Sequence, residues 1–126
     1  MMTLPIILLI GLGGFIGTIL RYTSGVFFVK AFPAGFPYAT LSINLIGCLL
    51  IGIIYGYFDR AQMETENWKS FLTIGICGGF TTFSAFSIEN MQLLREGLYG
   101  SALLYIFISI IVGLALTFGG FMLAKH

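Results

Sequence analysis

Residues 78–89 read GGFTTFSAFSIE, two glycines followed by interleaved hydroxyl and phenylalanine side chains within an apolar segment. Glycines followed by the β-branched Thr81 and Thr82 favour a break in a helix, and a break frees backbone carbonyl and N–H groups. In a membrane such backbone is tolerated only where it lines a cavity or binds something. The electropositive ring edges of Phe83 and Phe86, beside hydroxyls, suit a small anion. The stretch therefore predicts an ion path.

A second polar group lies in TLSINLIG, residues 40–47. Thr40, Asn44 and Gly47 share one helix face by their i, i+4 and i+7 spacing. The Asn44 amide offers two N–H donors without a full charge, which suits a site that holds an anion briefly. The alternative is an interhelical hydrogen bond, common for asparagine in membranes, and the sequence slightly favours this alternative.

Two further polar features have open interpretations. Tyr105 and Ser109 share a helix face in YIFIS, where they either pack against neighbouring helices or line a pore. Arg21, near the end of the first apolar segment, either extends to the membrane surface or pairs with Glu89, and the sequence gives no distance between the two.

The residue sets that catalysis requires are missing from the sequence. It contains no nucleophile–base pair, metal-ligand spacing or phosphate-binding loop, and its one histidine is the terminal His126. Cys48 and Cys77 lie in apolar segments, as small packing residues do. We therefore expect neither an enzyme nor a proton relay. The net charge of +1 offers no basic patch for nucleic acid.

The composition indicates which elements position these residues. Of the 126 residues, 58% are hydrophobic and only 9% are charged, far too few charges for the surface of a soluble domain. Four stretches without charges approach or reach the roughly 20 apolar residues that cross a bilayer. We predict an all-α membrane protein, a single domain over 1–126, with its third helix broken at mid-membrane. The four transmembrane helices are expected at about 4–28, 39–58, 70–94 and 101–123.

Glycines at G-x-x-x-G spacing predict close packing between these helices. The pairs are Gly13 and Gly17, Gly52 and Gly56, and Gly75 and Gly79.

Basic residues are balanced across the predicted membrane. Four helices put three of them on each side: Arg60, Lys69 and Lys125 on one, Arg21, Lys30 and Arg95 on the other. Such a balance gives no positive-inside bias. Chance in a chain with few charges explains it, and so does dual topology, in which copies insert both ways and pair as an antiparallel homodimer. The second explanation is favoured because four short helices alone cannot easily enclose a polar path.

GGFTTFSAFSIE, TLSINLIG and the GGFIGTILRY of the first helix together resemble the Fluc (CrcB-type) fluoride channel family of bacterial inner membranes, over nearly the whole chain. The resemblance implies a multi-pass membrane protein that exports fluoride passively. It implies an antiparallel dual-topology homodimer, surrounded by lipid, with two fluoride pores. It also implies a structural Na⁺ at the dimer centre, held by the main-chain carbonyls of Gly78 and Thr81 from both copies.

Pore residues follow from the same resemblance. The family's two phenylalanines, whose ring edges face fluoride, match Phe83 and Phe86, and its pore asparagine matches Asn44. The arginine of the first helix matches Arg21, at an aqueous vestibule. Its row of hydroxyl groups corresponds to Ser84, Tyr105 and Ser109, with Ser87 as a further candidate. Some relatives carry another hydroxyl one turn after the fourth-helix serine, where this chain has Gly113, so the row of hydroxyls is expected to end early.

Two other functions fit a short four-helix membrane chain. A small multidrug-resistance-type proton-coupled exporter is the main alternative, but it needs a carboxylate in the first helix, and the sequence has none there. A structural subunit that organises a partner would leave the interleaved phenylalanines and hydroxyls unexplained.

Overall fold

The computed structural model describes residues 2–63 and 65–126, and the regular secondary structure of these residues is entirely helical. Helices α1 (Leu4–Ala31) and α2 (Tyr38–Ala61) come first, and α6 (Tyr99–Lys125) comes last. Between them lies the third segment, Glu66–Arg95. It consists of α3 (Glu66–Ser70), a π-helical stretch (Phe71–Cys77), α4 (Gly78–Phe80) and α5 (Phe83–Arg95).

Four of these units are long and apolar enough to cross a membrane: α1, α2, the third segment and α6. The predicted all-α class with four candidate membrane-spanning helices is thereby confirmed. The helices run a few residues past the predicted apolar stretches at one or both ends, because polar residues such as Asp59 and Glu66 continue the helical hydrogen bonding outside the apolar cores.

Glycines bring α1 against the third segment. A Cβ built on Gly13 would lie 2.7 Å from the carbonyl oxygen of Phe71, and one on Gly79 would lie 2.6 Å from that of Gly14. Gly17 faces the carbonyl of Ile76 in the same way. Any larger side chain at these positions would push the two backbones apart, as expected for small residues at helix contacts in membranes.

A second glycine contact joins α2 to α6. Gly52 and Gly56 lie against the carbonyls of Thr117 and Phe121, so a Cβ on either glycine would overlap backbone. The Thr117 hydroxyl donates across the same contact to the carbonyl oxygen of Cys48, at 3.1 Å. All three predicted glycine pairs therefore pack helices closely, as the sequence indicated.

Short turns close the bundle. The α5–α6 connection uses Gly97, whose φ of +76° is a conformation that favours glycine. The N–H of Gly97 bonds the carbonyl of Leu94, and that of Leu98 bonds the carbonyl of Leu93. These two bonds form a Schellman motif, which satisfies the last carbonyls of α5 and redirects the chain.

Polar contacts tie the helix ends together at the end of the bundle where α2 and α6 finish. Lys125 forms an ion pair with Asp59 at 3.2 Å. Lys69 lies 4.3 Å above the ring of Tyr55. The C-terminus of α2, the start of the third segment and the C-terminus of α6 therefore share one end, as four alternating spans require.

The break in the third segment lies at Thr81 and Thr82. Both residues have extended backbone, with ψ of 157° and 114°. The sequence predicted a break that begins at Gly78 and Gly79, but both glycines are still helical. The backbone of Gly14 packs against Gly79 and leaves no room for a side chain there. The chain leaves the helix only at the β-branched residues Thr81 and Thr82.

Candidate ion pathway

Three residues on one face of α2 meet the third segment around its break. Thr40 bonds the carboxylate of Glu89, Asn44 bonds the backbone of Thr82, and Gly47 lies against Thr81. The i, i+4, i+7 spacing that the sequence displayed therefore becomes a set of contacts to α5 and to the break.

Asn44 supplies the hydrogen bonds that the break removes from Thr82. The Thr82 N–H donates to Asn44 Oδ1 at 2.8 Å, and Asn44 Nδ2 donates to the Thr82 carbonyl at 3.0 Å. This is the interhelical hydrogen bond that the sequence slightly favoured. Because an amide nitrogen carries two hydrogens, one N–H of Asn44 is left for another acceptor.

The break changes the partners of two carbonyls that precede it. In a continuous helix the N–H of Thr82 would bond the carbonyl of Gly78, but here it bonds Asn44. The carbonyl of Gly79 accepts instead from Arg21 Nε at 3.1 Å. Arg21 therefore stabilises the broken backbone and does not form an ion pair with Glu89, the partner that the sequence left open.

A threonine restarts the helix after the break. Thr82 is the N-cap of α5, and its hydroxyl accepts a hydrogen bond from the N–H of Ala85 at 3.1 Å. Threonine is a preferred N-cap because its oxygen satisfies an N–H that has no helical partner. The two adjacent threonines therefore both end the first half of the segment and begin the second.

An open cavity of about 400 Å³ lies beside the break, and six of the predicted site residues line it. Asn44, Phe83, Phe86 and Ser109 line it, together with the two residues predicted to bind Na⁺, Gly78 and Thr81. Thr73, Cys48 and Cys77 also contribute to its wall. Among the described residues none with a formal charge lines this cavity. We call it the break cavity.

Three predicted hydroxyls lie outside the break cavity. Ser87 Oγ donates to the carbonyl of Phe83 at 3.0 Å, and Ser84 Oγ lies 3.3 Å from the hydroxyl of Thr82. Both serines are exposed. Tyr105 is fully buried, and its ring meets that of Phe86 edge to face at 4.9 Å.

Ser109 differs from these three hydroxyls. Its Oγ is buried and has no hydrogen-bond partner among the described residues, and the residue lines the break cavity. A buried hydroxyl without a partner is unusual and calls for a ligand or water. Ser109 is therefore the predicted hydroxyl that is best placed to bind something in the cavity.

Glu89 is a site residue that sequence reasoning undervalued. Its two carboxylate oxygens accept hydrogen bonds from the hydroxyls of Thr40, at 2.6 Å, and Tyr105, at 2.7 Å. The sequence carried a weak signal, because Thr40 lies one turn before Asn44 on the face that meets the break. Nothing in the sequence indicated that Tyr105 would donate to Glu89.

A second cavity, of about 450 Å³, lies on the side of Arg21. Its lining includes Arg21, Lys30, Thr40 and Glu89, so it is charged where the break cavity is neutral. Thr82 lines both cavities. The bonded pair of Asn44 and Thr82 therefore lies where a charged compartment gives way to an uncharged one.

The match to known proteins extends over nearly the whole chain. Residues 8–121 match the model of a family described as CrcB-like protein, Camphor Resistance (CrcB). The chain is 45% identical over 117 residues to the fluoride-specific ion channel FluC of Flavobacterium psychrophilum, covering 93% of this chain and 94% of that protein. It is 43% identical over 119 residues to the FluC of Azobacteroides pseudotrichonymphae, covering 94% and 95%. It is 42% identical over 120 residues to the FluC of Leptospira interrogans, covering 95% and 94%.

Proposed function

The chain belongs to the CrcB-like family, and on that premise we propose that it is a fluoride-selective channel through which the anion leaves the cell passively. Membership confirms the family predicted from the sequence. The relatives are named as ion channels, which agrees with the prediction that the chain is not an enzyme. With its four candidate spans, the chain is a multi-pass bacterial membrane protein.

The observation that carries the proposal is the lining of the break cavity. Fluoride is small and strongly hydrated, so a pore must replace its water with compact donors. The free N–H of Asn44, the hydroxyl of Ser109 and the ring edges of Phe83 and Phe86 are such groups in one cavity. Because none of them has a formal charge, they would bind the ion weakly enough for it to leave.

A second copy of the chain completes this proposal. Phe83 is 78% exposed in the single chain although it borders a partly polar cavity, which supports a partner that closes the open side. The balanced basic residues support an antiparallel, dual-topology arrangement of the two copies. Two-fold symmetry would then give two equivalent fluoride pores in each dimer.

Dual topology has a direct test. A reporter fused after His126, read separately on the two sides of the membrane, is expected to appear on both. A reporter found on one side only would refute insertion in both orientations and with it the antiparallel dimer.

We also propose that Na⁺ binds at the dimer centre to the carbonyls of Gly78 and Thr81 from both copies. Support comes from the Thr82 N–H, which bonds Asn44 and leaves the Gly78 carbonyl without its helical donor. Both residues line the open break cavity, and broken helices in membrane proteins commonly offer such carbonyls to Na⁺. A bound cation would make the local potential more favourable for an anion.

Purified protein in liposomes tests the function. With the membrane voltage clamped by an ionophore, vesicles loaded with fluoride are expected to lose it, while vesicles loaded with chloride retain theirs. The proton-coupled exporter predicts efflux only with a proton gradient, but α1 has no aspartate or glutamate to carry substrate and proton. No fluoride efflux, or efflux that requires the gradient, would refute the channel.

The aromatic edges are tested by isoleucine substitutions. Phe83→Ile and Phe86→Ile keep apolar bulk but remove the electropositive edge, so each is expected to slow fluoride efflux by about tenfold, equivalent to about 1.4 kcal/mol. Phe118→Ile is the matched control, because Phe118 is 69% exposed and does not line the break cavity. Wild-type efflux in both pore variants would remove the rings from the mechanism.

Ser109 and Ser87 form a second matched pair. Ser109→Ala removes a buried hydroxyl without a protein partner, and we expect it to slow fluoride efflux by about tenfold. Ser87→Ala removes a hydroxyl that bonds the carbonyl of Phe83 and lies outside the cavity, so efflux is expected to stay within about twofold of wild type. Equal effects of the two substitutions would contradict the position of Ser109 on the path.

A further inference from the structure

Cys48 lies beside Ser109 in the wall of the break cavity. The two residues come from different helices, α2 and α6. The Ser109 hydroxyl is buried without a partner among the described residues, which indicates that a ligand or water binds at this part of the wall. Cys48 is not in a disulfide, so its S–H is available as a weak, uncharged hydrogen-bond donor.

Gly113, one turn after Ser109, leaves a space that the Cys48 thiol borders. A Cβ built on Gly113 would lie 3.4 Å from Cys48 Sγ and 4.0 Å from Leu45 Cδ2, with nothing closer. The thiol therefore points across to α6 at the level where this helix has no side chain of its own.

Thr117 fixes the relative position of these two residues. Its hydroxyl lies 3.1 Å from the carbonyl oxygen of Cys48 and 3.1 Å from that of Gly113. One hydroxyl thus connects the backbone of α2 to that of α6 beside the thiol. A bonded contact between the helices therefore holds the backbone of Cys48 beside that of Gly113.

We propose that the Cys48 thiol continues the row of donors beyond Ser109 and takes the place of a side chain that α6 lacks at residue 113. This inference rests on the proposed fluoride path and adds a residue to it. The row of hydroxyls on α6 would still end at Ser109, because residue 113 is glycine, and the next donor would come from α2. The S–H group would offer the anion a weak donor without a formal charge.

Substitutions on both helices test the proposal through fluoride efflux from liposomes. Cys48→Ala removes the donor and is expected to slow efflux by about three- to tenfold. Cys48→Ser is expected to retain or exceed the wild-type rate because a hydroxyl is the stronger donor. Adding Gly113→Ser to Cys48→Ala supplies a hydroxyl from α6 in the space of the lost sulfur, and is expected to restore the rate. Rescue from a different helix would not be expected if Cys48 acted only in packing.

Thiol modification gives an independent readout. Methyl methanethiosulfonate transfers its methylthio group to the Cys48 thiolate, forming a disulfide and releasing methanesulfinate. Cys77 also lines the cavity, so both proteins in this comparison carry Cys77→Ser. The added group enters the cavity wall, so efflux by Cys77→Ser is expected to fall, while the double variant Cys48→Ser, Cys77→Ser, which has no thiol, is expected to be resistant.

Two results would overturn the inference while leaving the channel intact. One is a wild-type rate in Cys48→Ala, and the other is equal sensitivity to the reagent of Cys77→Ser and of the double variant Cys48→Ser, Cys77→Ser. Wild-type vesicles that release no fluoride would instead refute the proposed function, and this inference with it.

Discussion

Replacing Asn44 by leucine is expected to abolish fluoride efflux to the detection limit, a loss of at least about 100-fold. The substitution keeps the size of the side chain but removes both hydrogen bonds to Thr82. It leaves the N–H and carbonyl of Thr82, a half-buried residue, without partners at the break, at a cost of up to about 1–3 kcal/mol for each group. It also removes the free amide N–H from the cavity. Structure and anion binding are lost together.

Asn44→Asp separates these two contributions. The carboxylate retains an oxygen that accepts from the Thr82 N–H, but its second oxygen faces the Thr82 carbonyl, where Nδ2 donated. A negative charge also enters a cavity whose described lining has none. We expect the aspartate variant to assemble better than the leucine variant, as judged by its elution as a monodisperse species in detergent, and still to conduct little fluoride.

Asn90→Leu is the matched control. Asn90 is buried in α5, but its Nδ2 donates only within its own helix, to the carbonyl of Phe86 at 2.9 Å. Its Oδ1 has no partner among the described residues, so leucine removes a group that already lacks a bond. Fluoride efflux within about threefold of wild type is expected for this variant. Similar losses at both asparagines would show that any buried amide matters, and would contradict the role of Asn44.

The sequence predicted the membrane helices better than it predicted the site. Charges determine where an apolar segment ends, so the gaps between charged residues located four spans without any knowledge of packing. The sequence did not predict the start of the break correctly, because glycine was expected to interrupt the helix. Gly78 and Gly79 both remain in the helix. Gly79 packs closely against the backbone of Gly14, and membrane helices tolerate glycine in general.

Contacts between helices were the part that sequence could not supply. The face with Thr40 and Asn44 was visible as a pattern, but its partners Glu89 and Thr82 depend on the relative height and rotation of two helices. The hydrogen bond from Arg21 to the Gly79 carbonyl depends on the same geometry. A single sequence does not contain these distances. Only the structure shows that Arg21 and Glu89 bond other residues and do not pair with each other.

Replacing Gly47 by alanine is the second substitution with a large expected effect, because Gly47 leaves the space that the break occupies. A Cβ at residue 47 would overlap the Cγ2 methyl of Thr81, the first residue with extended backbone. The hydroxyl of Thr81 donates to the carbonyl of Cys77 at 2.9 Å, which fixes the orientation of that methyl. We expect Gly47→Ala to destabilise the protein by about 1–3 kcal/mol and to reduce fluoride efflux by at least about tenfold.

Thr81→Ser is expected to rescue Gly47→Ala. Serine keeps the hydroxyl that bonds Cys77 but lacks the methyl, and the next atoms around the added Cβ, Phe80 Cδ1 and the Cβ of residue 81, lie 3.6 Å away, in ordinary contact. Efflux and thermal stability of the four proteins in this double-mutant cycle are expected to give a coupling of about 1–2 kcal/mol. Gly119→Ala, with nothing within 4 Å of its added Cβ, controls for the loss of a helical glycine. Additive effects of the two substitutions would mean that Gly47 does not act through the methyl of Thr81, and the fit of α2 against the break would need another explanation.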